Sequence, residues 1–154
     1  MPTLVLLRHA KAEPHRDDDH SRVLAERGIA DCGRVRRWLQ DGQVRPDRVV
    51  VSTSARTRQT WELAGVGEVA PVYADEVYDA SLAELVGLVQ ATPPDVGTLV
   101  VVGHDPGLTQ LAWSLDDRPA AREWTDRGMA TSAVAVLEVI SWTDLEGARL
   151  VDHT

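Results

Sequence analysis

Three places in the chain put cationic or hydrogen-bonding side chains directly after a short apolar run. Thr3-Leu4-Val5-Leu6-Leu7 runs into Arg8-His9. Arg48-Val49-Val50-Val51 runs into Ser52, Ser54 and Arg56. Thr98-Leu99-Val100-Val101-Val102 runs into Gly103-His104. Guanidinium forks match the oxygens of a phosphate. An imidazole, with an ordinary pKa of about 6.5, is a competent nucleophile near neutral pH. Together the three sets can build one phosphate pocket, with His9 as its nucleophile. None of them supplies a carboxylate cluster for a metal.

Arg56 and Arg58 fall in the first turn of a helical pattern beginning at Ala55. A cation there opposes the helix dipole by roughly 0.3–1 kcal/mol. An anion bound at the helix start reverses that sign. His104 also stands directly before a helix start. Ser52 reads as a hydrogen-bonding group at the strand exit and a candidate substrate contact. Lys11 is a rim candidate for attracting anions, whereas Arg58 reads as a solvated helix arginine. The sequence has no glycine-rich P-loop, G-x-G-x-x-G, H-E-x-x-H or C-x-x-C pattern, which removes the usual nucleotide-cradle and zinc readings. His15 and His20 flank Asp17-Asp18-Asp19. That stretch reads as a solvated acidic loop rather than a metal site.

The elements that must position these residues follow from spacing. Short apolar runs predict strands over Thr3–Arg8, Arg48–Val51, Val69–Tyr73, Thr98–Val102 and Ala133–Ile140, with a last edge strand over Ala148–Asp152. Helical spacing predicts Leu24–Gln40, with Ile29, Cys32, Val35, Trp38 and Leu39 on one face. It also predicts Ala55–Ala64, capped by Thr53 or Ser54, and a helix capped by Ser81. Asp105 is placed to cap another helix, with Pro106 at its first position. Asp116–Asp126 reads as a polar connection. Strands alternating with helices predict an α/β fold, a three-layer α/β/α sandwich with a mainly parallel sheet. The last two strands lack an intervening helix, so that edge is expected to be antiparallel. Ligands of such sheets sit beyond the carboxyl ends of the strands, where all three residue sets lie.

The length of 154 residues predicts a single domain over 1–154. A net charge of −8 argues against nucleic-acid and acidic-membrane partners, and it makes the local arginine clusters informative. No apolar stretch approaches the roughly 20 residues that span a bilayer. The five-residue apolar run near the N-terminus is short for a signal peptide, so a cytoplasmic location is expected. Cys32, the lone cysteine, reads as a buried small hydrophobe.

Leu-Arg-His-Ala-Lys-Ala (7–12), Ser-x-x-x-Arg-x-x-Gln-Thr (52–60) and Gly-His-Asp-Pro (103–106) resemble the motifs of the histidine phosphatase superfamily, in the family's order. The short length and Met129-Ala130-Thr131-Ser132-Ala133 are similar to its small bacterial phosphohistidine phosphatases. Leu-Ala-Glu-Arg-Gly (24–28) resembles the family's Leu-Thr-x-x-Gly, with Ala25 where a Thr is usual. The resemblance implies a phosphoglycerate-mutase-like fold and a metal-independent, cofactor-free phosphatase. In that mechanism His9 becomes phosphorylated and water then releases phosphate. Arg8, Arg56 and His104 hold the phosphoryl oxygens. The implied proton donor is Glu76, after the third strand, or else Asp105. Asp79, Glu13 or no dedicated acid are the remaining options. The implied substrate is phosphohistidine on a protein, in keeping with a role in signalling. The alternatives are a small phosphate ester and a catalytically inactive phosphate- or phosphoprotein-binding module. Trp124 is a candidate contributor to a partner surface.

Overall fold

The computed structural model describes residues 1–14 and 17–154. Its six strands are β1 (Thr3–Arg8), β2 (Arg48–Ser52), β3 (Val72–Ala74), β4 (Thr98–Gly103), β5 (Val134–Glu138) and β6 (Arg149–His153). They form one sheet in the order β3-β2-β4-β1-β5-β6. The first four in that order are parallel. β5 runs antiparallel to both β1 and β6. The predicted α/β class and antiparallel edge are therefore observed.

Helices α1 (Glu26–Asp41) and α2 (Ala55–Ala64) cover one face, where Cys32, Val35, Leu39 and Trp61 pack on Val5, Leu7, Val49 and Val102. Helices α3 (Leu82–Gln90) and α4 (Gly107–Leu115) cover the other, where Leu85, Val89, Leu108 and Leu111 pack on Leu4, Leu6, Leu99 and Val101. Alternate residues of β1 and β4 thus feed opposite cores. This is why those strands are apolar throughout rather than alternating. The connections leave β1 and β2 towards one edge and return from β3 towards the other. Right-handed crossovers then require helices on opposite faces.

Four expectations change. Ile29 is 50% exposed. Gly28 takes the inward position in the first turn of α1, where a Cβ would stand 2.1 Å from the carbonyl oxygen of Lys11. β3 is shorter and later than predicted, because the third apolar run forms only an edge rung against Val50–Ser52. α4 begins at Gly107 rather than Pro106. The Asp105 carboxylate still caps its first turn, accepting from the Thr109 amide at 3.0 Å and the Thr109 hydroxyl at 2.7 Å. The polar stretch after Leu115 holds a short helix, α5 (Pro119–Thr125). Its proline occupies the first turn, and the guanidinium of Arg122 stacks 3.2 Å from the Trp113 ring centroid. Cys32 is buried, and burial pushes its thiol up to about 11, as expected of a packing residue.

Candidate active site

Sheet register brings the three residue sets together. Arg8 pairs with Gly103, and Val51 with Val102, so Arg8, Gly103 and Ser52 share one level across β1, β4 and β2. One residue further on, His9 and His104 leave adjacent strands, their ring centroids 5.4 Å apart. The amide of His9 donates to the Gly103 carbonyl at 3.1 Å, which ties the two exits.

The tautomer of each histidine follows from its partners. The Nδ1 of His9 lies 2.8 Å from the Ala10 carbonyl oxygen, which can only accept. Nδ1 therefore carries the proton and Nε2 keeps its lone pair. Burial, helped by the charges of Arg56 and Arg8, lowers the pKa of His9 to about 4. The Nδ1 of His104 lies 3.3 Å from Nη2 of Arg56, which can only donate. His104 therefore carries its proton on Nε2 and donates it to Ser52 Oγ at 2.8 Å. Burial and the Arg56 charge lower its pKa to about 3.

The arginines complete a cationic floor. Arg8 donates from Nη1 to the Met129 carbonyl at 2.7 Å. Arg56 is buried at the start of α2, which Ser54 caps through the Thr57 amide. Its Nη1 donates to the Asp19 carbonyl at 2.8 Å and its Nη2 to Asp19 Oδ2 at 3.1 Å. The Nε of Arg8 and the Nε of Arg56 are both buried without a hydrogen-bond partner. A buried unsatisfied donor costs about 1–3 kcal/mol, more when charged. An oxyanion bound at these strand ends would meet the two guanidinium groups and, beside them, the neutral Nε2 of His9, which can attack its central atom. The segment Met129–Ala133 holds this arrangement from behind. The Ala133 carbonyl accepts from the Arg8 amide at 3.1 Å, and the Ser132 amide donates to the His9 carbonyl at 3.1 Å.

The other predicted residues are placed as follows. Ser52 is fully buried, with its hydroxyl on His104. Lys11 is exposed on the segment leaving His9, with its carbonyl accepting from the Ala25 amide at 2.9 Å. Arg58 sits on Tyr73, 4.3 Å from the ring centroid. Glu76 is not brought to the cationic floor. The turn Asp75–Val77 sinks Val77 into the core and leaves Glu76 exposed. Glu76 lines a separate groove of about 440 Å³ with Arg48, Glu84, Leu88 and Thr92. Asp105 has both oxygens on Thr109. Glu13 and Asp79 are exposed. His15 lies outside the described residues.

Three residues of the site escaped sequence reading. Asp19 belongs to the acidic triplet read as solvated, yet its carboxylate accepts from Arg56, from Arg22 at 3.0 Å and from the Tyr78 hydroxyl at 2.5 Å. The Tyr78 hydrogen bond, then Arg22 and Arg56, hold that carboxyl far below its ordinary range. The Tyr78 ring meets His104 edge-on at 5.4 Å and His20 at 4.9 Å. His20 docks this loop on Thr53 through Nε2, at 2.9 Å. Only the pattern Asp-x-x-Arg over 19–22 hinted at the loop. The sequence could not say that it folds inward.

The model of the histidine phosphatase superfamily (branch 1) matches residues 4–92. The chain belongs to this superfamily. An uncharacterized Mycobacterium tuberculosis (strain ATCC 25618 / H37Rv) protein, Rv1276c, is 38% identical over 151 residues, covering 91% of this chain and 92% of that one. Among solved structures, a candidate phosphohistidine phosphatase SixA from Nakamurella multipartitia is 35% identical with a TM-score of 0.89, covering 99% of this chain and 95% of that one. A similarly named SixA from Agrobacterium tumefaciens is 30% identical with a TM-score of 0.87, covering 99% and 97%. The fold is that of the family, and the chain is a histidine phosphatase. No helix among the described residues is long and apolar enough to cross a membrane.

Proposed function

We propose that this histidine phosphatase hydrolyses phosphohistidine on a protein, through a covalent phosphohistidine on His9 and without a metal. The Nε2 lone pair of His9 attacks phosphorus while Nδ1–H stays on the Ala10 carbonyl. The guanidinium groups of Arg8 and Arg56 receive phosphoryl oxygens. The phosphoryl dianion raises the proton affinity of His104, which takes a proton on Nδ1 in place of the Arg56 contact and donates it to a third oxygen. Fixed donors of this kind are the main catalytic equipment phosphoryl transfer needs. Water then attacks the phosphorus of phospho-His9. The P–N electron pair returns to Nε2, the attacking water passes one proton to a phosphoryl oxygen, and phosphate leaves as the monoanion.

The observation that carries the substrate choice is the leaving-group side. On that side none of Glu76, Asp105 and Asp19 is placed with a proton to give. Glu76 faces another groove, Asp105 is spent on Thr109, and Asp19 is held as a carboxylate. An alkoxide leaving group needs a proton badly. An imidazole, with an ordinary pKa of about 6.5, needs far less help. The names of the SixA structures support the same reading.

The test compares kcat/KM for a phosphohistidine protein with kcat/KM for a panel of alkyl and sugar phosphates. The proposal requires a strong preference for the protein. A preference of orders of magnitude for an ester overturns it. Phosphate binding with no turnover of either substrate would mark a binding module instead.

A further inference from the structure

We propose that Asp19, held by Tyr78, Arg22 and Arg56, accepts the free N–H of the leaving imidazole and thereby selects phosphohistidine over phosphate esters. This deepens the proposed function and rests on it.

The side chain of Arg56 is 6% exposed and that of Asp19 is 36% exposed. The carboxylate is therefore more open to solvent than the guanidinium it holds. A histidine carried by another protein enters from solvent, so its ring, once phosphorylated and bound, can meet that open carboxylate. Asp19 makes three side-chain hydrogen bonds, to Arg56, Arg22 and Tyr78. An ionised carboxylate has about four acceptor sites, so one remains for a substrate N–H. Tyr78 and His20 put aromatic rings beside it, a surface suited to a flat heterocycle.

The electron balance explains why an acceptor, and not an acid, belongs there. A phosphohistidine ring with its second nitrogen protonated is a cation. When His9 Nε2 forms its bond to phosphorus, the P–N bond to that ring breaks and its electron pair stays on the ring nitrogen. The departing ring is then neutral imidazole, already carrying its N–H, and no proton is transferred. Without that N–H it would leave as an imidazolate anion. An opposite charge nearby favours the cationic form, so a carboxylate favours the reactive state. The enzyme's own ring is built the same way, with its N–H on Ala10. Against an ester the same carboxylate gives nothing, since the departing oxygen gains negative charge.

The test measures kcat/KM for a phosphohistidine peptide and for p-nitrophenyl phosphate on the wild type, Asp19→Asn and Asp19→Glu, with circular dichroism to confirm folding. Both activities are expected to fall in Asp19→Asn, because Arg56 loses its anchor. The fall should be at least tenfold greater for the phosphohistidine peptide. Asp19→Glu, which keeps the charge, should retain the wild-type preference to within a few-fold. An equal fall for both substrates in Asp19→Asn makes Asp19 a mere anchor for Arg56 and overturns the inference. Loss of the preference in Asp19→Glu as large as in Asp19→Asn also overturns it. Wild-type enzyme that turns over only the ester overturns the proposed function itself, which separates the two failures.

Discussion

The Nδ1–H of His9 donates to the carbonyl oxygen of the next residue, Ala10, at 2.8 Å. Ala10 is fixed in turn, because its amide donates to the buried hydroxyl of Thr60 at 3.0 Å. The orientation of the candidate nucleophile is therefore set by the second helix as well as by its own strand.

His9 and His104 should both be neutral in the phosphate-free protein. Their pKa values are lowered to about 4 and about 3, chiefly by burial. In the unfolded chain both titrate near 6.5. Between these values the unfolded state binds more protons than the folded one. Their contribution therefore leaves stability highest above about pH 6.5 and erodes it as pH falls towards 4 and then 3. An NMR titration should show neither ring changing charge between pH 5 and 8. A midpoint near 6.5 for either would contradict the burial account.

Arg56→Lys keeps the charge and removes the fork. Lysine cannot reach Asp19 and His104 together while also donating to a phosphoryl oxygen. Loss of one preorganised oxyanion donor typically costs about 10²–10³ in kcat. Steady-state kinetics should show a fall of that order, with thermal stability changed far less. A loss below about threefold would remove Arg56 from the phosphoryl clamp.

Ala25 is the N-cap residue of α1, with extended backbone and no side chain to cap the first turn. Ala25→Thr supplies the missing hydroxyl acceptor and should raise unfolding stability by about 0.5–1.5 kcal/mol. Urea denaturation measures this directly. No gain would mean that the Lys11 carbonyl contact with the Ala25 amide already fixes the helix start.

Gly28→Ala should do the reverse of what alanine does elsewhere in a helix. The usual gain is about 1 kcal/mol. Here the new Cβ would lie 2.1 Å from the Lys11 carbonyl oxygen, a backbone atom that cannot swing aside. Overpacking of this kind costs about 1–3 kcal/mol. The strain falls two residues after His9, so activity should drop along with stability. An unchanged melting temperature would contradict it.

How much of this was legible in the sequence varies by element. β1, β2 and β4 were readable because each is buried on both faces and so uninterrupted by polar residues. The strand ends placed Arg8, His9, Arg56 and His104 at one edge, and sheet register then set them side by side. The 52–60 motif was visible as a pattern, but the contacts of three of its residues were not. Ser52 holds His104, Gln59 accepts from the Leu24 amide at 2.7 Å, and Thr60 holds Ala10. The direction of Glu76 was not legible, because the short turn that buries Val77 decides it. Asp19 and Tyr78 come from two polar loops far apart in sequence. Charge counting reads such loops as solvated, and only tertiary packing turns one carboxylate towards Arg56. α5 hid in a polar stretch whose helix-start signal, Pro119, was present but carried no apolar stripe.

Turnover through a phosphorylated His9 is directly testable. The direct measurement is rapid-quench labelling with a radiolabelled phosphohistidine peptide, followed by acid and base treatment and mapping of the labelled residue. Label should accumulate on His9, unstable in acid and stable in base, and should be absent from His9→Ala. Acid-stable label on another residue, or normal turnover by His9→Ala, would contradict the account.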